Sequence, residues 1–230
     1  MTPPLEAVLF DFDGTLGTYR SHLALYVAAA AEHGVEVTEA ALRQTIDDTW
    51  AAWQTPQGVD HSASSASEAT YNTEVRARLH VLRLAAAGAT GDLDAVAARI
   101  CVLECDPANF ELYDDTLPAL ERLHAAGLRI AIVSNHVWRL PEVVAALGLT
   151  PYVDHVLTSA RVGYRKPHPA IYRAALEAVD VPAEAALFVG DSPSHDVEGP
   201  RAAGMRAVLI ARRGTGHVDA IHTLDELPLA

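Results

Sequence analysis

The chain has 230 residues, 50% of them hydrophobic, and sets 17 Lys and Arg against 30 Asp and Glu for a formal charge of −13. That is enough to bury a sizeable core, as one large domain or as a core with a smaller insert, and with no stripe of Lys or Arg it argues against a nucleic-acid backbone as partner. No apolar run approaches the roughly 18 residues that span a bilayer, and the opening MTPPLEAVLF lacks a basic stretch followed by a long apolar one, so a cytoplasmic protein is expected.

The first predicted strand lies in AVLFDFDGTL and delivers two carboxylates, Asp11 and Asp13, at its end. Charges are costly to desolvate, so two of them at the mouth of an apolar strand need a cation, a proton or a catalytic task. Residues 21–105 then carry helical periodicity: Leu23, Val27 and Ala30; Leu42, Ile46, Trp50 and Trp53; Val75, Leu79 and Leu82; Leu93, Val96, Ile100 and Leu103. Within this module TPQGVDHSASSAS, residues 55–67, predicts a mobile loop. Cys101 and Cys105 read as reduced structural thiols, since no ligand cluster accompanies them in the sequence.

From about residue 116 the pattern changes. TLPALERLHAAG reads as a helix stopped at Gly127; LRIAIVSN, HVLTS, AALFVGD and RAVLIAR read as strands, with helices around 140–147, 168–179 and 194–203 between them. The alternation predicts an α/β fold, a Rossmann-like parallel sheet with helices on both faces. Ligands bind such sheets at the carboxyl ends of the strands, so a helical insert after the first strand would overhang the site.

The strand ends present Asp11, Asp13, Ser134, Asn135 and Asp191, with Asp196 five residues further on and Lys166 in the segment RVGYRKPHP. Singly, an Asp, Ser or Asn at such a place is an ordinary cap or turn residue. Together they have the composition of a site for Mg²⁺ and a phosphate group.

With those residues in view the chain resembles the haloacid dehalogenase-like hydrolases, and among them phosphoglycolate-phosphatase-like members with a helical cap of the C1 type. The resemblance rests on DFDGT (11–15), VSN (133–135), RKPHP (165–169) and GDSPSHD (190–196), in the family's order. It implies a Mg²⁺-dependent phosphatase of a small phosphorylated metabolite, with residues 1–16 and 116–230 as catalytic core and 17–115 as cap. Asp11 then matches the nucleophile and a metal ligand, Asp13 the acid and base whose backbone carbonyl binds the metal, and Asp191 the third ligand. Ser134, Asn135 and Lys166 match groups that hold the phosphoryl oxygens, and Thr15 and Asp196 stand behind them. A 2-haloacid dehalogenase expels halide, which needs neither Asp13 nor a metal; a phosphomutase would use the same motifs. A non-catalytic module that stores phosphate on Asp would be shorter and lack the insert.

Other features stay outside this site. His136, His168, His195 and His217 show no metal-binding spacing; His136 and His168 are candidate substrate contacts, Trp50 and Trp53 candidate cap core, and Arg161, Arg165, Arg212 and Arg213 ordinary surface charges. Chain crossings near 17–20 and 113–116 are the expected hinges.

Overall fold

The computed structural model describes residues 3–53, 60–212 and 220–228. The side chains of Trp50 and Trp53, together with Arg213 and His217, lie outside the described residues.

Strand β1 (Ala7–Phe10) is buried at all four positions. Its side chains alternate: Val8 and Phe10 enter one apolar layer and Ala7 and Leu9 the opposite one. A strand buried on both faces needs helices on both sides. The first layer is closed by α6 (Thr116–Ala125) through Ala119, Leu120 and Leu123, and by α7 (Leu140–Ala146) through Leu140, Val143 and Val144. The second is closed by α9 (Pro169–Val179) through Ile171, Tyr172, Ala175 and Val179. Truncating a fully enclosed ring such as Phe10 would cost about 3–5 kcal/mol.

Among the described residues five strands form the sheet, all parallel, in the order β5-β4-β1-β6-β7, where β4 is Arg129–Ser134, β5 His155–Thr158, β6 Ala186–Gly190 and β7 Arg206–Leu209. From β1 the chain builds outward through β4 and β5, and then returns to the other side for β6 and β7. The order therefore reverses at β1, so a crevice opens where the carboxyl ends of β1, β4 and β6 meet. α8 (Ser159–Val162) follows β5, and a π-helical turn (Pro193–Glu198) runs into α10 (Gly199–Ala202) after β6.

The helices between β1 and α6 hang from a two-stranded antiparallel ribbon, β2 (Gly17–Tyr19) paired with β3 (Phe110–Leu112). Beyond it lie α1 (His22–Glu32), α2 (Glu39–Trp53), α3 (Glu68–Tyr71), a π-helical segment (Asn72–Arg76), α4 (Ala77–Ala86) and α5 (Leu93–Leu103). They enclose a core of their own, including Tyr26, Ala30, Leu42, Leu84, Val96 and Ile100. Leu82, placed on the apolar stripe by periodicity, is instead 42% exposed. The described part of the Ser-rich stretch departs from the expected loop. Ser62–Ala66 coils into a helical turn, and His61 N donates to Gly163 O at 2.8 Å. Gly163, at φ +89°, admits this approach because a Cβ there would lie 2.7 Å from Ser62 Cα. Among the described residues no helix is long and apolar enough to cross a membrane.

Candidate active site

At the end of β1 the ladder continues one step, Asp11 N donating to Val189 O at 2.9 Å. Phe12 then turns into the core, fully buried, and leaves Asp11 and Asp13 on the cleft side. The chain doubles back at once, with Leu16 N and Gly17 N both donating to Phe12 O. Gly14 makes this possible: its φ is +75°, and a Cβ there would sit 2.2 Å from Asp191 Oδ2. Asp11, Asp13, Ser134, Asn135, Lys166 and Asp191 all line one cavity of about 550 Å³, with Arg212 and His195 at its wall.

Lys166 is the cation beside Asp11. Its side chain is 1% exposed, and Nζ stands 3.0 Å from Asp11 Oδ1 and 2.6 Å from Asp196 Oδ1. Burial alone would lower its pKa, but the two carboxylates outweigh burial and hold it above the usual lysine value. Asp196 is spent on both sides, since Oδ2 accepts from Ser192 N at 2.9 Å. Asn135 grips the lysine backbone: its Nδ2 donates to Lys166 O at 2.9 Å and its Oδ1 accepts from Lys166 N at 2.7 Å. This two-way lock on the lysine backbone uses one of the two Nδ2 hydrogens and leaves the other for the cleft that Asn135 lines.

The remaining carboxylates crowd one another. Oxygens of Asp11, Asp191 and Asp196 lie within 4.8 Å of each other. Asp191 faces the open cleft, yet enclosure by the walls, then the charges of Asp11 and Asp196, push its carboxyl up to about 7. Asp13 is likewise held well above the usual carboxylate range, by enclosure first and by Asp11 and Asp191 next. Its side chain keeps 41% of its surface open to the cleft, so solvent moderates the enclosure and the neighbouring charges are the firmer cause. Asp13 Oδ1 has no hydrogen-bond partner.

Arg212 and Arg165 depart from the surface roles expected of them, and the other candidates find definite places. The Thr15 hydroxyl is buried without a hydrogen-bond partner; its carbonyl instead accepts from Arg212 Nε at 3.2 Å and Nη2 at 2.6 Å. Arg212 is no surface charge, because its side chain is 9% exposed, pairs with Asp115 Oδ2 at 2.6 Å and stacks on Tyr113. Arg165 is buried too. His168 caps α9, its Nδ1 accepting from Ala170 N, and is not aimed at the cleft. His136 is buried among Phe12, Tyr19 and Phe110, 3.4 Å from Asp13 Oδ2, with its pKa lowered to about 3 by burial and then Arg76; it is a neutral wall behind Asp13. Arg212 closes the last strand segment, RAVLIAR, and the strand-end rule that selected the aspartates would have selected it.

A family model described as haloacid dehalogenase-like hydrolase matches residues 5–204. The chain is 30% identical over 234 residues to a ribulose-1,5-bisphosphate 5-phosphatase of Halopiger xanaduensis, covering 96% of this chain and 95% of the relative. It is 29% identical over 210 residues to the human haloacid dehalogenase-like hydrolase domain-containing protein 3, covering 90% and 82%. Among solved structures it resembles an HAD phosphatase from Thermococcus onnurineus with a TM-score of 0.65 and 26% identity, over 96% and 95% of the two chains.

Proposed function

From the premise that this chain belongs to the haloacid dehalogenase-like hydrolases, we propose that it is a Mg²⁺-dependent phosphatase of a small phosphorylated metabolite, working through an aspartyl-phosphate on Asp11. The observation that carries the proposal is the division of labour between the two strand-end carboxylates. Asp11 faces the Lys166 ammonium at 3.0 Å, whereas Asp13, two residues on, has no cation of comparable closeness among the described residues and is pushed toward its neutral form. Paired carboxyls in unlike environments are the arrangement that separates a nucleophile from an acid.

In the first step an Asp11 oxygen bonds to phosphorus while the bond from phosphorus to the ester oxygen breaks, and Asp13 gives its proton to the departing alcohol. In the second, Asp13, now ionised, takes a proton from water, which attacks the acyl phosphate and frees inorganic phosphate and the Asp11 carboxylate. Lys166 offsets phosphoryl charge throughout, and the Ser134 hydroxyl supplies a donor to the equatorial oxygens. Asn135 holds the Lys166 backbone in place, and its second amide hydrogen is a further donor at the cleft wall. A dehalogenation, whose halide leaves without a proton, would have no use for Asp13.

The oxygen-only cluster of Asp11, Asp191 and Asp196 suits a hard divalent cation. Asp11 and Asp191, with the backbone carbonyl of Asp13, would hold Mg²⁺. Asp196, already committed to Lys166 and Ser192, would steady the set. A bound cation supplies charge that lets an anionic carboxylate approach an anionic ester. We assign residues 1–16 and 116–230 to the catalytic core and 17–115 to a cap that closes over the cleft about the β2–β3 ribbon, excluding water during attack.

The test is a phosphate-release screen across phosphorylated metabolites, with and without exhaustive chelation, beside a folded Asp11→Asn protein. Activity should require Mg²⁺ and fall by several orders of magnitude in Asp11→Asn. Full activity after chelation, or near-wild-type turnover in the variant, overturns the mechanism.

A further inference from the structure

A second cavity, of about 530 Å³, opens between the helices and the sheet and shares Asp13, Thr18 and Asn135 with the catalytic cleft. The two cavities therefore adjoin at Asp13, the residue assigned to the leaving oxygen. Four arginines line this space, Arg20, Arg43, Arg76 and Arg83, against the single described carboxylate, Asp13. In a chain of net charge −13, a cationic chamber next to the reacting centre is a local reversal of the overall field.

The arginines differ in how they are already engaged. Arg20 pairs with Glu111 at 3.2 Å in the open, and Arg43 loosely with Glu39 at 3.8 Å. Arg76 is held by Glu104, which is fully buried. Arg83 is 8% exposed, has no carboxylate partner among the described residues, and leaves its buried Nε without a hydrogen bond. Its Nη1 donates to Tyr26 Oη at 3.0 Å. That hydroxyl lies 2.7 Å from His80 Nδ1, and His80 Nε2 lies 3.0 Å from Glu104. His80 is neutral, its pKa lowered to about 4 chiefly by burial, so the chain of bonds orients Arg83 without neutralising it. A guanidinium buried with no counter-ion among the described residues is unfavourable, and an apolar side chain of the same volume would spare the protein that cost. Its presence beside a substrate cleft is explained if a ligand brings the missing anion.

We infer that the substrate is a phosphate monoester whose alcohol part carries a second anionic group, a carboxylate or a phosphate, and that Arg83, with Arg76 beside it, receives that group in the second cavity. This rests on the phosphatase reading above. A planar fork of donors suits either oxyanion. Arg83 and Arg76 sit seven residues apart, two turns of nearly continuous helix, and so reach one face together.

Matched esters test the assignment: 3-phosphoglycerate against glycerol 3-phosphate for the carboxylate, and fructose 1,6-bisphosphate against fructose 6-phosphate for the second phosphate. In at least one pair the doubly anionic ester should have a kcat/KM higher by at least about tenfold. Arg83→Met should bring that ratio close to one while turnover of p-nitrophenyl phosphate stays within about twofold. It should also melt no lower than wild type, since it removes an unpaired buried charge. Ratios near one in the wild type, or equal losses on both members in Arg83→Met, overturn the inference. Should Arg83→Met fail to fold, Arg83→Lys decides: an ammonium in place of the fork should cut the ratio by at least about threefold, and an unchanged ratio overturns the assignment. Calorimetric binding of 3-phosphoglycerate, glycerol 3-phosphate and the two fructose phosphates to folded Asp11→Asn protein separates the two proposals. If the wild type hydrolyses no ester, the phosphatase reading fails by itself, and equal binding within both pairs is what refutes the anion site.

Discussion

Replacing Glu104 by Gln tests whether the helical insert depends on one buried charge. The carboxylate is fully buried and accepts from Arg76 Nε at 3.2 Å and from Arg76 Nη2, and it lies 3.0 Å from His80 Nε2 and 2.9 Å from His22 Nε2. Burial alone would raise its pKa, but Arg76 and then His80 outweigh burial and hold it well below the usual carboxylate range. Gln keeps the shape and removes the charge, leaving Arg76, whose side chain is only 11% exposed, beside Arg83 with no counter-ion. Breaking a buried pair in this way costs about 3–5 kcal/mol, and the lower end applies because Arg76 keeps some contact with water. For a chain of this size about 3 kcal/mol corresponds to a Tm lowered by about 6–12 °C. Urea melts should show a lower midpoint with an unchanged slope, and adding Arg76→Met should recover most of the loss. The sign with pH is also set. A depressed carboxylate contributes stability that is present above its unfolded value of about 4.3 and is lost as pH falls through its folded pKa. Wild type should therefore lose stability below about pH 4 more steeply than Glu104→Gln. A single-variant loss under about 1 kcal/mol would refute the reasoning, for it would place this network no higher than a surface ion pair.

Cation affinity should weaken as pH drops below about 7, because Asp191, pushed up to about 7, must lose its proton to bind; calorimetry in two buffers of different ionisation enthalpy should detect proton release on binding. Asn135→Ala should leave the fold intact but lower kcat by about 10- to 100-fold by freeing the Lys166 backbone, and wild-type kcat in that variant would remove the positioning role. Neither thiol should react with a disulfide reagent at pH 8 in the native protein, since burial raises Cys101 to about 12 and Cys105 to about 11, whereas both should react once the chain is unfolded.

Much of the fold was legible because its signals are local. A parallel strand buried on both faces reads as a short apolar run, and helices between such runs read by their period, so each strand of the sheet could be located before its neighbours were known. The cleft residues were legible for a related reason, since strand ends converge on one edge whatever the strand order. What escaped is held by pairings distant in sequence. Arg76 meets Glu104 at a separation of 28 residues, Tyr26 meets Arg83 at 57, and Arg212 meets Thr15 at 197. Nothing beside Arg165 marks it as buried, and Arg212 was readable only from its place at the end of RAVLIAR. Asn135 was placed correctly at the strand end, but its partner, the backbone of Lys166, carries no side-chain signature. The turn at Ser62–Ala66 depends on Gly163, a residue of the sheet's own periphery, and a Ser-rich composition by itself suggests only a loop.

The pairing of β2 with β3 also bears on how the chain finds its structure. The Thr116 hydroxyl donates to Leu16 O across 100 residues of sequence, and β1 cannot complete its ladder with β4 until the intervening chain has been brought back. Closing so long a loop in one step is slow, since its entropy must be spent before the contact rewards it. Helices α1 to α5 bury one another through contacts near in sequence, and once they do, the ribbon at Gly17↔Leu112 and Tyr19↔Phe110 can seal behind them. The distance along the chain that separates β1 from β4 then shrinks from about 120 residues to about 25, which lowers the closure cost by about 1.3 kcal/mol. Substitutions that weaken the ribbon should accordingly slow refolding more than they hasten unfolding.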